Sequence, residues 1–143
     1  MIATTEILNA KILIVDDAAA NVLLMERLLA MAGYTSVHAT SDPNEVCILH
    51  RKNLYDLILL DLVMPGLDGF QVMEALKLIE PGTYLPVLVL SAQPGHKQRA
   101  LEAGARQFLG KPFQFAEFAA LVNHMLDQRL SHMQGINHIK VLE

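Results

Sequence analysis

The sequence predicts an α/β domain built around a parallel β-sheet. Short apolar runs of strand length alternate with longer stretches of helical period, and the alternation occurs five times between residues 11 and 130. Repeated strand and helix units of this kind are typical of parallel sheets, because each helix carries the chain back to the start of the next strand. A chain of 143 residues, 52% hydrophobic and 18% charged, also has the size and apolar content of one domain with a sizeable buried core.

The elements follow in order along the chain. Residues 11–15 indicate a strand buried on both faces, and residues 18–32 indicate a helix that Gly33 is placed to end in a left-handed conformation. Further strands are predicted at 36–40, 56–60, 86–90 and 106–109, and further helices at 43–52, 70–79, 94–103 and 114–130. Ser41-Asp42-Pro43 is a start signal for the helix at 43–52, and Pro81-Gly82 ends the helix at 70–79. We therefore expect an N-terminal extension at 1–9, one domain at 10–130, and a C-terminal tail at 131–143. The tail carries Gly135 among mixed apolar and polar residues, which indicates a frayed helix or the start of a linker.

Charge and composition argue against several classes of function. The net charge is −4, which offers no broad positive field to a phosphate backbone, so direct nucleic-acid binding is not expected. Cys47 is the single cysteine, so we interpret it as a small core residue and not as part of a disulfide or metal site. The sequence shows no signal pattern and no apolar run of about 20 residues, so we expect no membrane segment and a cytoplasmic, soluble protein.

Polar residues follow four of the five predicted strands. Asp16 and Asp17 come after the first strand, Asp61 after the third, Ser91 after the fourth, and Lys111 after the fifth. Because ligands of parallel α/β sheets bind outside the carboxyl ends of the strands, we expect these side chains to converge on one edge. Each residue alone would more often be a cap, a turn residue or a solvated charge; the joint placement indicates a site.

This set of residues is suited to phosphoryl chemistry. Three carboxylates held together repel one another unless a cation joins them, and oxygen ligands with open positions suit Mg²⁺. A metal ion on one side and Lys111 on the other would neutralise the charge that develops on a phosphoryl group during transfer. Asp61 is then the natural nucleophile.

Several motifs resemble those of response-regulator receiver domains of two-component signalling, of the kind found in chemotaxis regulators. They are Val15-Asp16-Asp17, the run Asp61-Leu62-Val63-Met64-Pro65-Gly66-Leu67-Asp68-Gly69, Ser91-Ala92, Leu101-Glu102-Ala103-Gly104-Ala105 and Lys111-Pro112-Phe113. The resemblance covers residues 10–130 and implies a flavodoxin-like, doubly wound sheet of five strands in the order 2-1-3-4-5.

The resemblance also implies a role for each site residue. Asp61 would be the phosphoacceptor, and Mg²⁺ would bind to the residues Asp16, Asp17, Asp61 and the carbonyl of Val63. Lys111 would contact the phosphoryl oxygens. In this family the peptide bond at the position of Lys111–Pro112 is commonly cis. Ser91 and Phe108 would form the conformational switch, in which the Ser91 hydroxyl and the rotamer of the Phe108 ring respond to phosphorylation. The domain would be a phosphoacceptor and not an enzyme in its own right.

The same resemblance indicates partners. A histidine kinase or a histidine phosphotransfer protein would donate the phosphoryl group, and an output protein or domain would bind the face formed by the fourth predicted helix, the fifth strand and the fifth helix. A homodimer is an option. However, Arg106 and Gln107 stand where many transcription-factor receivers carry acidic residues, which weakens the case for their dimer mode.

Two positions beside the site bear on the lifetime of the phosphorylated state: Val63, two residues after Asp61, and Gln93, two residues after Ser91. In receivers the residues at these positions vary, and they flank the path of the water that hydrolyses the phosphoryl group. Val63 offers no hydrogen bond, and Gln93 offers one. We expect slow self-dephosphorylation, limited by the positioning of that water.

One class of enzyme and one class of electron carrier are built on a similar sheet, but this sequence lacks residues that each of them needs. Dehalogenase-type enzymes also use an aspartyl nucleophile, but they need a second Asp where this chain has Val63. A flavin carrier would need a phosphate loop where this chain has Asp16 and Asp17. An unphosphorylated interaction module, or a receiver belonging to a larger regulator with an enzymatic or DNA-binding output, stays open. A phosphotransfer role for His124 belongs to helical bundles and is not favoured.

Overall fold

The protein is a three-layer α/β structure with a five-stranded parallel sheet in the centre. The computed structural model describes residues 2–62, 69–79 and 85–142. The strand order is β2-β1-β3-β4-β5, as predicted. The strands are β1 (Lys11–Val15), β2 (Ser36–Thr40), β3 (Leu57–Asp61), β4 (Val87–Ser91) and β5 (Gln107–Gly110). The first two agree with the predicted bounds, and the other three begin one residue later and end one residue later than predicted.

Six α-helices are described, one more than the sequence indicated. They are α1 (Thr4–Leu8), α2 (Ala19–Met31), α3 (Val46–Asn53), α4 (Gly69–Ile79), α5 (Lys97–Glu102) and α6 (Phe115–Leu142). Short 3₁₀ turns at Pro43–Glu45 and Pro94–His96 precede α3 and α5. The Asp42 side chain accepts a hydrogen bond from the Asn44 N–H at 2.9 Å, so the predicted start signal works as a cap. The predicted end of α4 at Pro81-Gly82 lies outside the described residues.

Both faces of the central strands β1, β3 and β4 are buried, which explains why these strands are apolar apart from one terminal residue each. Side chains that alternate along these strands fall into two separate clusters, one on each face. On β1, Ile12 and Ile14 belong to the cluster under α1, α2 and α6, whereas Leu13 and Val15 belong to the cluster that includes Val46 and residues of α4 and α5. The sheet is therefore doubly wound.

Glycines end two of the helices where a side chain would be strained. Gly33 follows α2 with φ 98°, and Gly104 follows α5 with φ 114°. This left-handed conformation is accessible to glycine without the Cβ clash that other residues meet. The prediction that Gly33 ends its helix in a left-handed conformation is confirmed.

The N-terminal segment contributes to the core, which the sequence pattern did not indicate. Ile2 and Ile7 are 7% and 8% exposed and belong to the same buried cluster as Met125 and Leu126 of α6. A five-residue helix has too few turns to show a periodic pattern, so α1 is visible only through its packing. Domain bounds at 10 and 130 stay a prediction.

The last helix continues past the predicted end at residue 130. It extends from Phe115 to Leu142, so the segment expected to be a frayed helix or the start of a linker is helical up to Leu142. No proline interrupts residues 115–142, and the single Gly135 costs a helix only about 1 kcal/mol relative to alanine. An isolated glycine is therefore a weaker stop signal than we assumed.

Within the part of the chain that the structure describes, no helix has both the length and the apolar character to cross a bilayer. Cys47 is half-buried beside the cluster that contains Leu13 and Tyr55, in agreement with its assignment as a packing residue. Burial raises the pKa of the Cys47 thiol, and the charge of Arg51 acts in the opposite direction.

Candidate functional site

The candidate site lies where the strand order reverses, next to β1. The chain passes from β1 to β2 on one side and reaches β3 on the other, so a crevice opens beyond the carboxyl ends of β1 and β3. Val15 pairs with Leu60 in the parallel register, and the next residues along the two strands are Asp16 and Asp61. The register of the sheet therefore places these two carboxylates side by side.

Three carboxylates meet in this crevice. Asp16, Asp17 and Asp61 each offer a carboxylate oxygen, and these oxygens lie within 4.8 Å of one another. Asp16 is 5% exposed, Asp17 is exposed, and Asp61 is intermediate. Asp16 Oδ1 accepts a hydrogen bond from the Ala18 N–H at 2.9 Å, which fixes the orientation of this carboxylate at the start of α2. An oxygen-only set of this kind fits Mg²⁺, because Mg²⁺ binds through one or two carboxylates and keeps several waters.

Ser91 is the last residue of β4 and lies beside the crevice. Asp61 pairs with Leu90, so Ser91 is one residue further along the neighbouring strand. Its side chain is almost completely buried, with 4% of the residue exposed. The Oγ atom accepts a hydrogen bond from the Gln93 N–H at 3.1 Å. Ser91 is therefore a buried, oriented hydroxyl next to the predicted nucleophile.

Lys111 follows β5 at the same edge. Gly110 pairs with Ser91, and the backbone N–H of Lys111 donates to the Ser91 carbonyl at 2.8 Å. The peptide bond between Lys111 and Pro112 is cis, the isomer that the resemblance implied. The four strand ends selected from the sequence thus lie at one edge of the sheet.

The structure describes two of the three remaining predicted site residues, which are Phe108, Gln93 and Val63. Phe108 lies on the edge strand β5 opposite Val89 and is partly buried against the cluster around α4 and α5. Gln93 is exposed, and its side chain is free to face solvent at the start of the 3₁₀ turn. Val63 lies outside the described residues, so the structure says nothing about its carbonyl or its side chain.

The sequence analysis missed one neighbour of the site, His96. Its Nδ1 atom lies 3.3 Å from Ser91 Oγ, at hydrogen-bonding distance. The sequence analysis assigned His96 no role. The turn-forming pair Pro94-Gly95 between Ser91 and His96 was the available signal, because a tight turn there folds the chain back towards the end of β4.

Comparisons with known proteins agree with this geometry. Residues 12–123 match the family model of the response regulator receiver domain. The response regulator PleD of Caulobacter vibrioides is 41% identical over 107 residues, which is 73% of this chain and 23% of that protein. The chain spans about half the length of several other curated relatives.

Solved structures show the same fold. The chemotaxis protein CheY4 of Vibrio cholerae has a TM-score of 0.74 at 28% identity, over 82% of this chain and 98% of that one. The receiver domain of the sensor histidine kinase PA1611 from Pseudomonas aeruginosa has a TM-score of 0.75 at 29% identity, over 83% of this chain and 98% of that one. That receiver domain was solved with a magnesium ion coordinated in its active site cleft. The family match over most of the chain and the shared fold show that this chain belongs to the response regulator receiver domain family of two-component systems.

Proposed function

We propose that this receiver domain accepts a phosphoryl group on Asp61, in a Mg²⁺-dependent reaction, from a histidine kinase or a histidine phosphotransfer protein. The observation that carries the proposal is the meeting of Asp16, Asp17 and Asp61 within 4.8 Å at the strand-order reversal. Ser91 and Lys111 stand at the ends of the next two strands. The unit we propose for this reaction is residues 10–130.

Asp16, Asp17 and Asp61 are the side chains that would hold the metal, and the carbonyl of Val63 would complete the protein's share of the ligands. When bound, Mg²⁺ neutralises negative charge on the phosphoryl oxygens and lets an anionic donor approach three carboxylates. The magnesium seen in the PA1611 receiver domain supports this choice of ion. The hydrogen bond from the Ala18 N–H holds Asp16 in place without using its second oxygen.

Transfer consists of one displacement at phosphorus. A carboxylate oxygen of Asp61 attacks the phosphorus of a phosphohistidine, the new O–P bond forms, and the P–N bond to the imidazole breaks. The bonding electron pair stays on the imidazole nitrogen, which takes a proton from solvent. The Lys111 ammonium, carried to this edge by the end of β5, neutralises a phosphoryl oxygen as the charge redistributes.

The product changes the shape of a neighbouring surface. The phosphoryl group adds an acceptor next to Ser91, so the Ser91 hydroxyl turns towards it and Phe108 moves inward from its half-buried position on β5. Since β5 is an edge strand, this movement alters the face formed by α5, β5 and α6. We propose this face as the binding surface for an output protein or an attached output domain, and for any homodimer.

The reaction does not turn over as an enzyme cycle would. The phosphoryl group leaves Asp61 when water attacks phosphorus, and the rate depends on how that water is oriented. The side chain of valine has no hydrogen-bond donor or acceptor, so Val63 cannot orient the water, whereas the amide of Gln93 has both and is exposed to solvent. We therefore propose a long-lived phosphorylated state with slow self-dephosphorylation.

Incubation with acetyl phosphate and Mg²⁺ tests the proposal without a cognate kinase. Mass spectrometry should show a gain of one phosphoryl group, and Asp61→Asn should show none. Glu117→Gln is the matched control, because it removes an exposed carboxylate in the first turn of α6 that does not belong to the carboxylate cluster. A native chain that stays unmodified, or an Asp61→Asn chain that is modified equally, would contradict the proposal.

Amide chemical shifts test the output face separately. Addition of beryllofluoride and Mg²⁺, which together imitate the phosphorylated carboxylate, should shift signals at the site and across α5, β5 and α6. Changes confined to α3 and α4 would overturn the assignment of this face while leaving the phosphoacceptor assignment intact.

A further inference from the structure

The hydroxyl of Ser91 is engaged by two groups of the connection that follows β4. The Gln93 N–H donates to Ser91 Oγ at 3.1 Å, so one lone pair of that oxygen is in use. His96 Nδ1 lies 3.3 Å from the same Oγ. When the ring carries its proton on Nε2, Nδ1 accepts the Ser91 proton; when Nδ1 carries the proton, it donates to the second lone pair. In either tautomer the contact is lost if the Ser91 side chain turns towards Asp61.

The His96 ring is held in place by α4. Its plane meets the ring of Phe70 edge to face, with the centroids 6.2 Å apart and an interplanar angle of 86°. The Arg99 guanidinium lies 3.8 Å from the centroid of the Phe70 ring and covers that ring in a cation–π contact. Phe70 lies in the first turn of α4, the helix that follows Asp61 and the end of β3 along the sequence. The His96 ring therefore has a packing contact with α4 that does not involve Ser91.

We propose that His96 is a positioning residue, which holds the Ser91 hydroxyl in its unphosphorylated orientation and so sets how readily the switch closes. The inference rests on the proposed function, because it assumes that Ser91 turns towards a phosphoryl group on Asp61. The hydroxyl has a single proton and Ser91 is 4% exposed, so water has little room to replace a lost partner. Closure therefore exchanges the His96 contact for the phosphoryl contact.

The size of the effect follows from the strength of one hydrogen bond. A neutral hydrogen bond contributes a net amount that corresponds to about 3- to 10-fold in an equilibrium constant. Removing the His96 contact should therefore favour the closed state by about that factor. The effect should disappear when Ser91 has no hydroxyl to hold.

Two substitutions of His96 separate the hydrogen bond from the packing. His96→Phe keeps an aromatic ring against Phe70 but has no atom that can bond to Ser91 Oγ. His96→Asn loses the ring but places an amide atom near the position of Nδ1 and restores a partner. Each is made with Ser91 and with Ser91→Ala, and the dissociation constant of beryllofluoride in the presence of Mg²⁺ is measured by calorimetry.

We expect His96→Phe to bind beryllofluoride about 3- to 10-fold more tightly than the native chain, and His96→Asn to return most of the way to native affinity. In the Ser91→Ala background, His96→Phe should have no effect. Unchanged affinity in His96→Phe, or the same gain with Ser91→Ala, would overturn the inference. If the native chain does not bind beryllofluoride at all, the proposed function fails first, and the inference fails with it.

A measurement on the native chain does not depend on how the variants fold. The ¹⁵N resonance of His96 Nδ1 reports whether that nitrogen takes part in a hydrogen bond. It should shift when beryllofluoride and Mg²⁺ are added, because Ser91 leaves. A His96 Nδ1 resonance that stays in place while the resonances of Ser91 and Lys111 move would show that His96 does not hold the hydroxyl.

Discussion

Replacing Gly69 by alanine should displace Asp61, the proposed phosphoacceptor, although Gly69 has no side chain that could take part in the reaction. Gly69 begins α4, and its N–H donates to the Leu62 carbonyl at 3.1 Å. A Cβ built at Gly69 would lie 2.9 Å from Leu62 Cα, 2.9 Å from Leu62 Cδ2 and 3.0 Å from the Asp61 carbonyl oxygen. The obstacle is backbone, so it cannot be relieved by a side-chain rotation alone.

The expected displacement follows from these distances. Carbon atoms in contact normally lie about 3.5–4.0 Å apart, so the backbone of Leu62 has to move by roughly 0.6–1.1 Å. Overpacking of this kind costs about 1–3 kcal/mol, and alanine recovers up to about 1 kcal/mol through its better helix propensity. The free energy of unfolding should therefore fall by about 0–3 kcal/mol. Since Leu62 follows Asp61 directly, a shift near 1 Å at the nucleophile should slow phosphorylation by about 100-fold.

Single-turnover phosphorylation by acetyl phosphate and urea unfolding measure the two effects. Gly135→Ala is the matched control, because it makes the same change within a helix where nothing lies within 4 Å of the new Cβ. That variant should gain stability and keep the native rate of phosphorylation. A Gly69→Ala chain that is phosphorylated at the native rate would show that the close approach of α4 to β3 does not position Asp61.

Three further outcomes are expected. Asp17 is exposed, so Asp17→Asn should leave the fold intact but lower the rate of phosphorylation at limiting Mg²⁺ by at least about 10-fold; an unchanged rate would contradict the metal assignment. Val63→Asn should shorten the lifetime of phosphorylated Asp61, measured as the loss of radiolabel from the chain, and should leave the Mg²⁺ affinity nearly unchanged. An equal or longer lifetime would refute the role of this side chain. Burial raises the pKa of Tyr55, against a smaller opposite effect of the hydrogen bond from Asn53. Because the folded chain then keeps a proton that the unfolded chain loses near pH ~10, the stability from this group is complete below that pH and falls as pH rises through the folded pKa. Urea unfolding at about pH 9 and about pH 11 should show this loss, and Tyr55→Phe should reduce it.

The order of the elements and the residues of the site could be predicted because both depend on local pattern. β1, β3 and β4 are buried on both faces and are apolar apart from one terminal residue each, so they were placed within one residue of their observed bounds. Parallel strands place their carboxyl ends at one edge, so residues that follow a strand can be assigned to a shared site before any contact is known. Asp16, Asp61 and Ser91 were identified in this way.

Long-range packing decided the features that the sequence analysis missed. The short helix α1 is stable because Ile2 and Ile7 contribute to a core shared with α6, and a five-residue segment carries no periodic signal of that partner. The regular part of α6 was ended too early because Gly135 and the mixed polarity of residues 131–143 weaken the helical pattern there.

By itself the sequence determined which chemical groups stand at the ends of the strands, because hydrophobic periodicity and the parallel connection leave little choice there. Only the tertiary structure decided what surrounds those groups. The contact of His96 with Ser91, the ring of Phe70 beside it, and the absence of space for a side chain at Gly69 all arise where separate elements meet. Those distances depend on how α4 and the β4–α5 connection pack on the sheet, and no local pattern along the chain encodes that packing.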